Sequence, residues 1–172
     1  MIVNKKDIIR CICISLLFLI IPWRSFSQEK FDISKLGPLP KKYADSIDGS
    51  HNFFLEKGYK VYRAATLNMK KNTEFPVYID LFKGKLYHFL VFADDESEKV
   101  ILKMGKEGWG DIITYKFKPS KTGEFFTEFS YICPESGRFL FLLYQRGSKK
   151  KPFAHISVLQ KVTGDKNVQF GH

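Results

Sequence analysis

The residues of this chain that could do chemistry are four histidines, one cysteine beyond the N-terminal region, an acidic run, a glycine-flanked tryptophan and a lysine run. The histidines are His51, His88, His155 and His172. None stands in a His-x-His or His-Glu-x-x-His spacing, the patterns that turn two imidazoles toward one metal from a single element. His88 and His155 fall within strand-like stretches and His51 within a helix-like one, so each is expected to serve packing rather than ligation. There is no Gly-x-Ser-x-Gly elbow for a serine nucleophile, and Ser136-Gly137 reads as a turn. No catalytic residue, metal or cofactor is assigned. An uncharacterised secreted enzyme stays as the alternative to a non-catalytic module.

Cys133 shares its parity with Phe129 and Tyr131 on an apparent strand. It is expected to be buried as a small hydrophobe. Asp94-Asp95-Glu96-Ser97-Glu98 gathers the carboxylates a hard cation wants but lacks the spacing and glycine of a calcium loop. It reads as an acidic hairpin tip. Trp109, set among Gly105, Gly108 and Gly110, could stack on a sugar ring with Asp111 as hydrogen-bond partner, or fold back over the core. Lys149, Lys150 and Lys151, with Arg146 nearby, could meet an anionic surface or form a solvated turn.

These residues need elements to hold them and a compartment to act in. Lys5, Lys6 and Arg10 open the chain, an apolar run follows from Cys11 to Trp23, and Ser25-Phe26-Ser27 places small residues where a signal peptidase reads. Residues 1–27 are expected to be a cleavable signal, with the mature chain starting at Gln28. A run of 13 residues is short of the ~20 that span a bilayer, so no transmembrane span is expected after cleavage. Removing residues 1–27 from the 172 leaves 145, enough for one domain with its own core. Cys11 and Cys13 leave with the signal, so no internal disulfide is expected. The signal holds four basic residues and one acidic one, which lowers the net charge from +10 to +7. In the cytoplasm that balance would point to nucleic acid. In the periplasm or outside the cell the partners are instead a glycan, a lipid head group or a protein of the envelope.

Residues 28–44 contain Gly37, Pro38 and Pro40 without periodicity and read as an extended lead-in. A short helix is expected from Asp45 to Gly58, with Ser50 as a possible cap and Gly58 just past its end. From Tyr59 the pattern has period two. Phe75, Val77, Ile79 and Leu81 alternate with Glu74, Pro76, Tyr78 and Asp80, and Lys83-Gly84 makes a tight turn. Leu86 to Ala93 is apolar on both faces, as in a central strand. Further strands start at Val100, Ile113, Phe125, Phe139 and Ile156, with loops at Gly105–Gly110, Pro119–Gly123 and Gly147–Pro152. About eight strands with no helices between them predict an all-β antiparallel sandwich over residues 45–162, ending in a polar tail at 163–172.

The stretch from about Phe75 to Gln160 resembles the bacterial pre-peptidase C-terminal domain. The resemblance is carried by Phe82-Lys83-Gly84-Lys85-Leu86-Tyr87-His88-Phe89-Leu90-Val91, a glycine turn leading into Tyr-x-Phe-x-Val. It is carried also by Phe129-Ser130-Tyr131-Ile132-Cys133-Pro134-Glu135-Ser136-Gly137-Arg138-Phe139-Leu140-Phe141, two aromatic strands about a Pro-x-x-Gly turn. It implies a jelly-roll-like sandwich and no chemistry. With no protease domain beside it in this sequence, no role toward a peptidase is implied. The chain is similar too, through Gly108-Trp109-Gly110-Asp111-Ile112-Ile113 and Phe126-Thr127-Glu128-Phe129-Ser130, to small secreted proteins of Gram-negative bacteria without assigned activity. The expectation is an exported, non-catalytic binding or accessory module of the cell envelope, with Trp109, Asp111, Lys149, Lys150 and Lys151 as binding residues.

Overall fold

Alternation of apolar and polar residues from Tyr59 onward resolves into eight strands among the described residues. A computed structural model describes residues 40–106, 110–147 and 152–162. Helix α1 (Lys41–Glu56) is followed by β1 (Tyr59–Asn68), β2 (Glu74–Leu81), β3 (Leu86–Ala93), β4 (Ser97–Lys106) and β5 (Asp111–Phe117). A one-turn helix α2 (Pro119–Thr122) leads to β6 (Phe126–Ile132), β7 (Gly137–Gly147) and β8 (Phe153–Lys161). The first sheet has the order β1-β8-β3-β6 and the second β2-β7-β4-β5. Every pairing is antiparallel. Only β4 and β5 follow each other within one sheet, and every other connection crosses between sheets. That is a jelly-roll sandwich.

Two apolar layers result. Between the sheets lie Tyr87, Phe89 and Val91 of β3, Leu102 and Met104 of β4, Phe139, Phe141 and Leu143 of β7, and Ile156 and Val158 of β8. Phe89 stacks on Phe129 at 4.7 Å and leans on Phe141 at 5.1 Å. Each such fully buried side chain contributes about 1.5–3 kcal/mol. The second layer lies outside the first sheet. Leu90, Phe92 and Leu159 point away from the sandwich and are covered by Tyr43, Ile47 and Phe54 of α1. That is why β3 is apolar on both faces.

The helix begins at Lys41, within the stretch 28–44 expected to be extended. Its buried positions Tyr43, Ile47, His51, Phe54 and Leu55 recur every three or four residues, and Tyr43 and Ile47 set the stripe before Ser50 is reached. Ser50 is mid-helix and caps nothing, while the Pro40 carbonyl accepts from the Tyr43 and Ala44 N–H groups. Gly58 follows the helix with φ +76° and donates its N–H to the Leu55 carbonyl, as its place in sequence suggests. Gly84 turns between β2 and β3 at φ +74°.

Three loop readings are corrected. Gly105 lies in β4, and residues 119–122 form a helical turn closed by Gly123 at φ +75°. The acidic run is not a solvated hairpin tip, since it crosses from the first sheet to the second. Asp94 is 2% exposed, its carboxylate accepting from the Glu96 and Phe153 N–H groups. Asp95 accepts from the Tyr43 hydroxyl at 2.9 Å and pairs with Lys42 at 2.6 Å, tying the start of α1 to the sandwich. The proximity of Asp95 raises the Lys42 pKa.

Cys133 is fully buried in the same inner core as Phe129, as its parity predicts. Its thiol donates to the Glu135 carbonyl, and burial pushes its pKa up, which disfavours the reactive thiolate. Residues 1–27, the greater part of the lead-in and the tail 163–172 lie outside the described residues. Among the described residues, no helix is long and apolar enough to cross a membrane.

Candidate functional site

Of the residues marked as a binding site from sequence, Asp111 alone is described. It is exposed at the start of β5, opposite Gly105, and pairs with Lys103 at 3.2 Å. Trp109, Lys149, Lys150, Lys151 and His172 lie outside the described residues.

The histidines do come together, by a route their spacing does not suggest. His51 of α1 and His155 of β8 both place Nε2 2.7 Å from the Ser157 hydroxyl. His155 Nδ1 lies 3.1 Å from the Thr66 hydroxyl of β1. A hydroxyl has one proton to donate and two lone pairs, so at most one imidazole accepts from Ser157 and at least one donates to it. Burial holds both rings neutral, lowering His51 to about 4 and His155 to about 3, and His51 adds to the reluctance of His155. Strand alternation turns His155 and Ser157 to the same outer face, and α1 lies over them. A serine between two imidazoles has the parts of a nucleophile, but His51, His155 and Ser157 are all fully buried. No substrate reaches this hydroxyl in the folded protein. Its role is to fasten α1 to the sheet.

His88 lies on the same outer face. Its Nδ1 is 2.9 Å from the Ser130 hydroxyl, its Nε2 is 3.5 Å from the Glu128 carboxylate, and Phe54 of α1 covers its ring at 4.0 Å. Burial lowers its pKa, and Glu128 opposes that shift. Ser136, the other serine weighed from sequence, accepts the Lys83 N–H at 2.8 Å in a turn. Among the described residues no three His, Cys, Asp or Glu side chains converge as a metal site would need.

The outer face of the second sheet is partly open to solvent. Register fixes its composition. Tyr78 stands opposite Leu140, Pro76 opposite Leu142, and Glu74 opposite Tyr144, which in turn faces Ile101. Pro76 and Tyr78 are exposed, while Ile101, Leu140, Leu142 and Tyr144 are half-buried. Pro76 is tolerated because β2 is an edge strand, where a missing N–H costs no ladder bond. Fixed ion pairs rim this apolar centre: Lys103 with Asp111, Arg138 with Asp80 at 3.5 Å and Arg146 with Glu98 at 3.3 Å. In sequence the second strand's polar parity looked like a plain solvent face. The signal that marks it is the parity of β7, where Leu140, Leu142 and Tyr144 are apolar on the side away from the core.

No family model and no curated protein matches the sequence, so the pre-peptidase resemblance extends to the type of fold and no further. Solved structures similar to this chain include a carbohydrate-binding module of class CBM4, with 15% identity over 60% of this chain and 79% of that one, at a TM-score of 0.40. A mitogen from Yersinia pseudotuberculosis is 18% identical over 62% of this chain and 89% of its own, at a TM-score of 0.34. The CBM22-1 and GH10 modules of xylanase 10B from Clostridium thermocellum, complexed with xylohexaose, are 16% identical over 65% of this chain and 28% of theirs, at a TM-score of 0.33.

Proposed function

We propose that this protein is an exported, non-catalytic binding module of the cell envelope that takes a glycan on the outer face of its second sheet. One observation carries the reading. Helix α1 covers the apolar outer face of β3 and β8 in the first sheet, whereas on the second sheet Tyr78 and Pro76 are exposed and Leu140, Leu142 and Tyr144 are half-buried. Contiguous apolar surface rimmed by polar groups marks an interaction site. A sugar polymer suits it, because each ring has an apolar C–H face for Tyr78 and Tyr144 and hydroxyls for the rim charges. Trp109 and Asp111 belong to this reading by connectivity, since residues 107–109 join β4 to β5 of the same sheet. The enzyme alternative gains nothing from Ser157, whose hydroxyl is sealed with His51 and His155 beneath α1.

The test uses protein recovered from the envelope or medium, where the mature chain should begin at Gln28. Its retention on envelope polysaccharide is compared with that of Tyr78→Ala/Tyr144→Ala, Trp109→Ala and a variant with Lys149, Lys150 and Lys151 changed to Ala. The paired tyrosine variant should lose about tenfold or more in affinity, corresponding to about 1.4 kcal/mol, and binding by the wild type should change little with salt. Binding that survives loss of both tyrosines rejects the face. Binding lost only in the triple lysine variant, and falling steeply with salt, replaces the glycan with an anionic surface.

A further inference from the structure

The two sheets close differently at their two open sides. Where β6 lies over β5, Tyr115 stacks on Phe129 at 5.0 Å and fills the gap. Where β1 lies over β2, the residues at the gap are Ala64 and Ala65, and a cleft of about 180 Å³ remains. Val77 and Ile79 of β2 form the facing wall, and Ile156 and Val158 of β8 the floor. Both ends of the cleft are tied. A register shift between Val61 and Arg63 frees Tyr62 from pairing, and its hydroxyl donates to the Asp80 carbonyl of β2 at 2.8 Å. At the other end the connection from β1 to β2 is pinned where the Asn72 N–H donates to the Gln145 carbonyl. The space is therefore framed by fixed backbone.

Arg63 and Tyr78 stand at its mouth. The Arg63 guanidinium lies 5.1 Å from the centre of the Tyr62 ring and reaches the Tyr62 carbonyl at 3.4 Å. It takes part in none of the ion pairs formed among the described residues. The nearby acid, Asp80, is paired with Arg138. A planar guanidinium with spare donors at the lip of an apolar slot matches a carboxylate whose body is apolar. The slot sets the body's size, since a dry apolar cavity of about 150 Å³ holds a benzene molecule. The charge of +7 on the mature chain favours an anion.

We propose that the cleft between β1 and β2 is a binding site for small carboxylates with an apolar body of about six carbons, the carboxylate on Arg63 and the chain against Ala65, Ile79 and Ile156. The cleft shares Tyr78 with the edge of the second sheet's outer face but lies between the sheets, and its occupancy does not depend on the glycan reading.

Backbone and methyl NMR shifts of the whole mature protein, titrated with butanoate, hexanoate, octanoate and hexylamine, test it. Hexanoate should produce saturable shifts at Ala64, Ala65, Ile79, Ile156 and Val158. Each methylene from butanoate to hexanoate should tighten Kd about fourfold, with little further gain to octanoate once the slot is full. Arg63→Gln, a change at an exposed position, should weaken hexanoate about tenfold, as loss of a charge-assisted bond does. Ala65→Leu should abolish the shifts by filling the slot, its fold checked from the unchanged remainder of the spectrum. If Ala65→Leu disturbs the fold, the Arg63→Gln result and the chain-length series decide the matter. Hexylamine binding as tightly as hexanoate would overturn the proposal, as would shifts confined to surface lysines or an affinity indifferent to chain length.

Discussion

Lowering the pH from 7 to 4 should remove on the order of 5 kcal/mol of folding free energy through His51 and His155 alone. Both are held neutral in the folded protein, at about 4 and about 3 against an ordinary value of 6.5. Between those limits the unfolded chain binds protons that the folded one refuses, so stability rises with pH across the window. It is fully present above about pH 7 and falls as pH drops below the unfolded value of 6.5. Each histidine adds a slope of up to about 1.4 kcal/mol per pH unit. The structural reason is burial beneath α1, where both rings meet the Ser157 hydroxyl. A protonated imidazole would bury a charge beneath α1, and it is the desolvation of that charge that the folded state resists. Around this relay Thr66 of β1 bonds His155 and the Phe92 ring of β3 lies 6.1 Å from it, and the two histidine rings are 6.0 Å apart. His88 acts with the same sign, tempered by Glu128. Urea midpoints by circular dichroism at pH 7.5 and 4.5 measure the effect. His51→Gln/His155→Gln keeps hydrogen-bonding groups without the titration and should narrow the difference between the two pH values. Equal wild-type midpoints at both pH values would mean that the rings are not held neutral.

Replacing Gln145 with leucine should cost about 4 kcal/mol, through the buried partners it leaves unsatisfied. Gln145 sits fully buried on the inner face of β7, in line with Phe139, Phe141 and Leu143. Its amide oxygen accepts from the Asp94 N–H at 3.0 Å and the Ser97 hydroxyl at 2.8 Å. Its amide nitrogen donates to the Phe153 carbonyl at 2.9 Å and approaches the Met69 sulfur at 3.2 Å. One side chain thus joins the ends of β1, β3, β4 and β8. Leucine has similar bulk, so the loss is of hydrogen bonds and not of volume. For a domain of this size the Tm should fall on the order of 10–15 °C. Leu143→Met, one step along the same face, conserves volume and apolarity and should cost less than ~1.5 kcal/mol. A Gln145→Leu variant as stable as Leu143→Met would show that its partners find water or one another.

Much of the fold can be read from local pattern. The parity of Phe75, Val77, Ile79 and Leu81, the two-sided apolarity of Leu86 to Ala93 and the turn at Gly84 all survive in the structure. Each depends on neighbours within a few residues, and a pleated strand turns alternate side chains to opposite faces wherever it is placed. Cys133 was placed in the core by the same parity. Helix α1 was legible from Asp45 onward but not in its first turn, because Pro38 and Pro40 mask a stripe that starts at Tyr43.

The features that matter for function depend on pairs the chain brings together from afar. His51 meets Ser157 across 106 residues and Asp95 meets Tyr43 across 52. Neither pair shares a motif, and a hydroxyl and an imidazole carry no periodicity that could announce the contact. The acidic run reads as solvated because its composition is polar, yet the crossing between sheets buries Asp94 and supplies its partners. Likewise, Tyr78 and Leu140 are unremarkable singly, and become one face only when β2 pairs with β7. Ala65 is a small residue in a strand until β1 and β2 are set as facing edges, where its missing bulk becomes a cleft. Alternation of side chains is a property of the strand and is written locally. Which strands pair, which sheet the helix covers and which edge is left unfilled follow from how the whole apolar surface is buried at once, and that is settled only in three dimensions.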